Sequence, residues 1–334
     1  MKASRRRVIA AAAVGALAIG LSGAAQAQQG AAQAQQGRRL HRIGVLNEAW
    51  AANHPTVEGL RAGLKELGIE EGRDVTLDIR FTEGKHAEMH GKAAALVRDS
   101  PDLIFTSGEP ATRAAADATQ TVPIVFSLVG DPVTAGLRKS WVHSRENLTG
   151  VSSLTTRLAP KRLEALKTLI PSLRRVWAIY AAAEGSTLAA VQEAQKAAPH
   201  LKLEVLNRPV FTAEDVARVL SAVGPSGAFL VPDNDTLDIP AAILETSLLS
   251  RIPAVFPTAL WVGHGGLVSY GPDYYAQGVQ AARLVAKILR GARPQELPIE
   301  GADKIDLAVN LKTAASLGVK VPRKVLLRAD RIQR

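Results

Sequence analysis

From about residue 40 onward, short apolar runs rich in β-branched residues alternate with stretches of helical periodicity. That alternation limits the fold of this 334-residue chain more than any other feature. RIGVLN (42–47) is an apolar run. HPTVEGLRAGLKELG (54–68) then places Val57, Leu60, Leu64 and Leu67 at helical spacing and stops at Gly68. DVTLDIRF (74–81) alternates strictly, with Val75, Leu77, Ile79 and Phe81 on one face. HAEMHGKAAALVRD reads as helix, PDLIFTSG (101–108) as a buried strand ending in glycine, PATRAAADAT as helix and VPIVFSLVGDP as a fourth strand. Strands separated by helices in this way demand a parallel sheet covered on both faces.

After NLTGVSSL (147–154) the pattern starts again: a helix from Pro160 to Leu169, then RRVWAIYAA, LKLEVLNRPV, GAFLVPD, IPAVFP and GGLVSYG with helices between them. The expected fold class is α/β, two doubly wound parallel-sheet lobes, with a flexible connection at Thr149-Gly150. A last segment, a helix over 276–290 and the strand KIDLAVN (304–310), is too short for a domain and must complete the other two.

The N-terminus does not belong to the fold. MKASRRR is cationic, Val8 to Leu21 is an uncharged apolar run, and small residues and glutamines follow, which is the order of a secretory signal peptide. The run is shorter than the ~20 residues a membrane span needs. GAAQAQQ occurs in tandem from Gly23 and Gly30, so a signal over 1–27 and a low-complexity linker over 28–40 are expected, with cleavage after Ala27 or Ala34. Ser4-Arg5-Arg6 fits both twin-arginine and general export. The chain has no Cys, which excludes a disulfide and a lipid-bearing cysteine. Loss of residues 1–27 takes four basic residues and no acid, lowering the net charge from +10 to +6. The remaining basic residues are scattered without interleaved aromatics, so no nucleic-acid partner is expected.

Doubly wound sheets place their crevices at the carboxyl ends of strands. Those ends carry Asn47-Glu48-Ala49-Trp50, Ser107-Gly108-Glu109-Pro110, Gly130-Asp131-Pro132, Ala181 to Ser186, Asp233-Asn234-Asp235 and Ser269-Tyr270-Gly271-Pro272-Asp273. Tyr270, Tyr274 and Tyr275, three of the four tyrosines, cluster at one such end, with Asp273 positioned to cap the next helix. They can pack a lobe edge or line the cleft, and Tyr270 and Tyr274 are candidate ligand contacts.

Catalytic signatures are missing: no GxSxG, GxxxxGK[ST] or GxGxxG occurs. His86 and His90 are spaced for one helical face but lack a third ligand, and no metal or cofactor is expected. Asp233 and Asp235 would suit acid-base work, ligand contact or helix capping alike.

The strings HRIGVLN, DLIFTSGEPATRAA, TVPIVFSLVGDPVTAGL, NLTGVSSL, GGLVSYGPDYYAQGVQAARLVAKILRG and AVNLKTAASLGVKVPRKVLLRAD resemble the exported substrate-binding proteins of ABC transporters. The resemblance is to the branch whose better-known members bind aromatic amino acids. It implies a type I periplasmic-binding fold with three crossovers, lobe 1 over 41–150 and 271–302, and lobe 2 over 151–270 and 303–334. It also implies a periplasmic, non-lipidated monomer that binds a small molecule and meets permease subunits at the inner membrane. Cleft contacts carried over by position are Ser107, Gly108, Glu109, Pro110, Asp131, Ser186, Thr187, Asp233, Asn234 and Asp235, with Asn47 beside them. Trp50 and Trp261 become candidate side-chain walls. The chain departs from the family where Ala181-Ala182-Ala183-Glu184 replaces an Asn-Pro pair and polar residues. Glu109 and Glu184 stand near both expected carboxylate anchors and would repel a ligand carboxylate. A ligand-sensing subunit for a membrane sensor kinase is the alternative role, and an enzyme using Asp233 and Asp235 a more distant one.

Overall fold

The computed structural model describes residues 39–48, 52–142, 146–224, 226–233 and 237–334. The expected signal peptide, cleavage sites and most of the linker lie outside these residues, as do Trp50, Asn234 and Asp235.

Two sheets organise the described chain. The first contains β1 (His41–Asn47), β2 (Val75–Phe81), β3 (Leu103–Ser107), β4 (Ile124–Val129), β5 (Leu148–Ser152) and β11 (Glu300–Gly301), in the order β11-β5-β4-β3-β1-β2. The second contains β6 (Arg175–Ala181), β7 (Glu204–Val210), β8 (Ala228–Leu230), β9 (Ala254–Phe256), β10 (Val268–Pro272), β12 (Ile305–Asn310) and β13 (Arg331–Gln333), in the order β13-β12-β10-β9-β8-β6-β7. Pairing is parallel except that β12 runs antiparallel to β10. The chain passes between the sheets three times, after β5, after β10 and after β11. Thr149-Gly150, read from the sequence as a flexible link, lies inside buried β5 of the first sheet. A Cβ on Gly150 would meet the carbonyl oxygen of Phe126 at 2.2 Å, so this glycine serves close strand packing. The crossover comes later, at Leu154, whose φ of 55° is left-handed.

The first core forms because β1 and β3 turn Ile43, Val45, Leu103 and Phe105 toward two helices, α1 (Pro55–Glu66) and α9 (Tyr274–Leu289). Each large apolar side chain buried there contributes about 1.5–3 kcal/mol. The helices cross with their backbones nearly touching: a Cβ on Gly59 would stand 2.0 Å from the Tyr275 carbonyl oxygen, and one on Gly278 would stand 2.0 Å from that of Thr56. Gly278→Ala is therefore expected to cost about 3 kcal/mol through overpacking, read as a lower denaturation midpoint at unchanged m-value. An unchanged midpoint would show that the helices can separate freely.

Asp273 caps α9 as its sequence position suggested, accepting from the Ala276 N–H at 3.0 Å. The same carboxylate pairs with Lys304 at 2.9 Å and with Arg331, tying the second crossover to the third.

Candidate functional site

The carboxyl ends of the two sheets face each other, and the first edge of the cleft is built on β3. Gly108, at a φ of 93° that favours glycine, turns the chain from β3 into α3 (Glu109–Ala118). Its N–H donates to the Ser127 carbonyl at 2.9 Å, and its carbonyl accepts from the Thr112 hydroxyl at 2.7 Å. Glu109 thereby becomes the first residue of α3, with Pro110 in the same turn.

The second edge repeats the arrangement. β6 ends at Ala181, and Glu184 is the N-cap of α5 (Gly185–Ala197). The Thr187 hydroxyl faces the carbonyls of Ala181 and Glu184 at 3.1 and 2.9 Å, holding the turn. Glu109 and Glu184 are only 9% and 8% exposed, so each of these helices, whose N-termini ordinarily favour anions, begins beside a buried acidic side chain of the protein itself.

The lobes touch here. The Ser186 hydroxyl donates to Glu109 Oε2 at 3.0 Å, and Arg113 holds Glu109 Oε1 at 2.9 Å. A Cβ on Gly185 would meet the Thr134 carbonyl oxygen at 2.7 Å. Asp233, at the end of the β8 segment, accepts from the Thr155 hydroxyl at 2.8 Å, and the Tyr274 hydroxyl approaches it at 3.5 Å from α9. The Tyr274 ring lies 6.0 Å from that of His54, centroid to centroid.

Two charged groups that sequence reasoning did not single out shape the electrostatics. Glu48 follows β1, and burial together with the charge of Glu184 pushes its carboxyl up to about 8. Its partner is His86, with Nδ1 at 3.2 Å from Oε2, a histidine that burial holds below its ordinary value. Arg162 is 1% exposed and lies beneath Asp233, its guanidinium donating to the Tyr270 and Pro257 carbonyls at 2.9 and 3.4 Å. The signals were present: Glu48 adjoins Asn47, and Arg162 interrupts the apolar stripe Ala159, Leu163, Leu166 of α4 (Thr155–Leu169). His54, the N-cap of α1 before Pro55, is lowered to about 4 by burial.

Other sequence candidates are placed differently. Asn47 and Ser107 are buried neighbours at the strand ends. Asp131 Oδ1 accepts from the N–H groups of Val133 and Thr134 and caps its own turn. Trp261 stacks on Phe256 at 6.0 Å against the second-lobe core. The Tyr270 ring packs on the outer core of the second lobe, because strand alternation puts it on the same face as Val268. His86 and His90 take separate acidic partners, Glu48 and Asp117. Among the described residues no group of three potential ligands could hold a metal, and no helix is long and apolar enough to cross a membrane.

Known proteins share this arrangement. The ABC transporter substrate binding protein family matches residues 50–333. A tyrosine-binding protein of Clostridioides difficile is 27% identical over 273 residues, 80% of this chain and 79% of its own. A conserved domain protein from Vibrio cholerae superposes with a TM-score of 0.81 at 28% identity, covering 88% of this chain and 100% of that one. A Streptococcus pneumonia protein solved in complex with L-Trp gives 0.77 at 27% identity, over 87% and 99%. With two α/β lobes, three crossovers and a cleft between facing strand ends, this chain belongs to the ABC transporter substrate binding protein family.

Proposed function

We propose that the chain is an exported, periplasmic solute receptor that captures an aromatic amine between its lobes by hinge closure and delivers it to ABC permease subunits, acting by binding alone. The observation that carries the ligand class is the pair of buried glutamates at the helix N-termini. A ligand carboxylate entering beside those helix starts would face acidic side chains, whereas an ammonium would meet Glu184, Glu48 and Asp233. Among the described residues near the cleft, Arg113 is engaged by Glu109 and Arg162 by backbone carbonyls. The aromatic body is supported by the His54 and Tyr274 rings beside Asp233, and by relatives whose names record tyrosine and tryptophan as ligands.

A thermal-shift screen tests this. A ligand at 100 times its Kd adds about 2.7 kcal/mol of stability. Aromatic amines should give that shift in the native protein and lose most of it in Asp233→Asn. A response confined to sugars or to anions would reject the amine reading.

A further inference from the structure

The outer face of the second lobe carries a cavity of about 570 Å³ that no first-lobe strand or helix lines. Its floor is apolar, formed by Tyr270, Leu201 and Leu307, and its rim carries Lys161, Lys167, Lys324 and Arg328 against one acid, Glu164. Lys161 pairs with that acid at 2.9 Å, and Lys167 donates to the Leu173 carbonyl at 2.6 Å. Lys324, on α11 (Arg323–Leu326), and Arg328 just beyond it have no carboxylate partner among the described residues. Burial, and to a lesser degree the charges of Arg174 and Lys202, hold Lys167 below the ordinary lysine value. A concave site of this volume suits a small molecule, and an apolar floor under unneutralised cations fits one that is both apolar and anionic.

We propose that this cavity is a second ligand site, for a small amphipathic anion whose carboxylate or phosphate meets Lys324 and Arg328 while its apolar body lies on Tyr270, Leu201 and Leu307. The site is separate from the cleft, and the inference does not rest on the amine reading. It adjoins the hinge all the same. The Tyr270 carbonyl accepts from Arg162 at 2.9 Å, and Gly271-Pro272 lead directly into the second crossover.

Isothermal titration calorimetry with octanoate, octan-1-ol and inorganic phosphate tests the proposal on the mature chain. Octanoate should bind at one saturable site, at least tenfold more tightly than either octan-1-ol or phosphate. Lys324→Glu with Arg328→Glu, both exposed positions, should weaken octanoate at least tenfold at an unchanged melting temperature, and Thr168→Trp should block it by filling the cavity. Asp233→Asn should leave it unaltered. Equal binding of octan-1-ol would make this a plain apolar pocket, and equal binding of phosphate a plain anion site. Either result overturns the proposal, as does octanoate binding that survives charge reversal or disappears in Asp233→Asn.

Discussion

Tyramine and tryptamine are expected to bind this protein at least tenfold more tightly than tyrosine and tryptophan. The two pairs differ by one carboxylate, so the comparison isolates the group in question. Two unit charges 4 Å apart interact by about 1 kcal/mol in water and about 4 kcal/mol at the effective dielectric of a protein surface. Arg113 offsets the charge of Glu109, but with Glu184 buried at the cleft edge a single repulsion midway between these limits exceeds the roughly 1.4 kcal/mol that corresponds to tenfold. Glu184→Gln should narrow the gap, because it removes one repelling charge and leaves a hydrogen-bonding group of the same shape. Calorimetry on the four ligands decides the matter. If tyrosine binds more tightly than tyramine, the amine assignment fails while membership of the receptor family stands.

Glu48→Gln should flatten the pH dependence of stability above neutrality. Glu48 has its folded pKa raised from about 4.5 to about 8, so the folded state holds a proton that the unfolded chain releases between those values. Its stabilising contribution is present below pH 4.5 and is lost as pH rises toward 8. His54 works in the opposite sense: lowered to about 4, it costs stability as pH falls from about 6.5 to 4. The two nearly cancel in the acid range, and Glu48 leaves a falling limb above pH 6.5. Its side chain is 22% exposed, and the remaining 1.5 pH units correspond to about 2 kcal/mol, or roughly 3 °C in Tm for a chain of this size. The wild-type melting temperature should fall by that amount between pH 6.5 and 8, and that of the variant should stay level. Amine affinity should run the other way, rising with pH up to tenfold per unit below 8, because an ammonium beside Glu48 displaces its proton. Parallel falling curves for wild type and Glu48→Gln would assign the limb to other groups.

Much of the architecture was legible because periodicity is local. The apolar spacing of Val57, Leu60 and Leu64, the alternation in 75–81, and the turn residues Gly108 and Asp273 each act within a few residues of themselves, and the structure uses them as read. Where the first lobe ends was not legible. NLTGVSSL looks like a link, yet its backbone hydrogen bonds with β4, and only a partner strand reveals that. The three tyrosines show the same limit. Tyr270 faces the outer cavity, Tyr274 approaches Asp233 across the cleft, and Tyr275 is largely exposed, because one side chain obeys strand alternation and the others helical rotation.

By itself the sequence determined the two α/β lobes, the strand-end loops that edge the cleft, and the presence of Glu109 and Glu184 at helix starts, since each depends on short-range pattern. Tertiary structure alone decided that Ser186 answers Glu109, that Glu48 meets the charge of Glu184, and that Arg162 lies beneath Asp233. Those relations join residues tens to more than a hundred positions apart, and burial and charge at a cleft arise only when both lobes are in place.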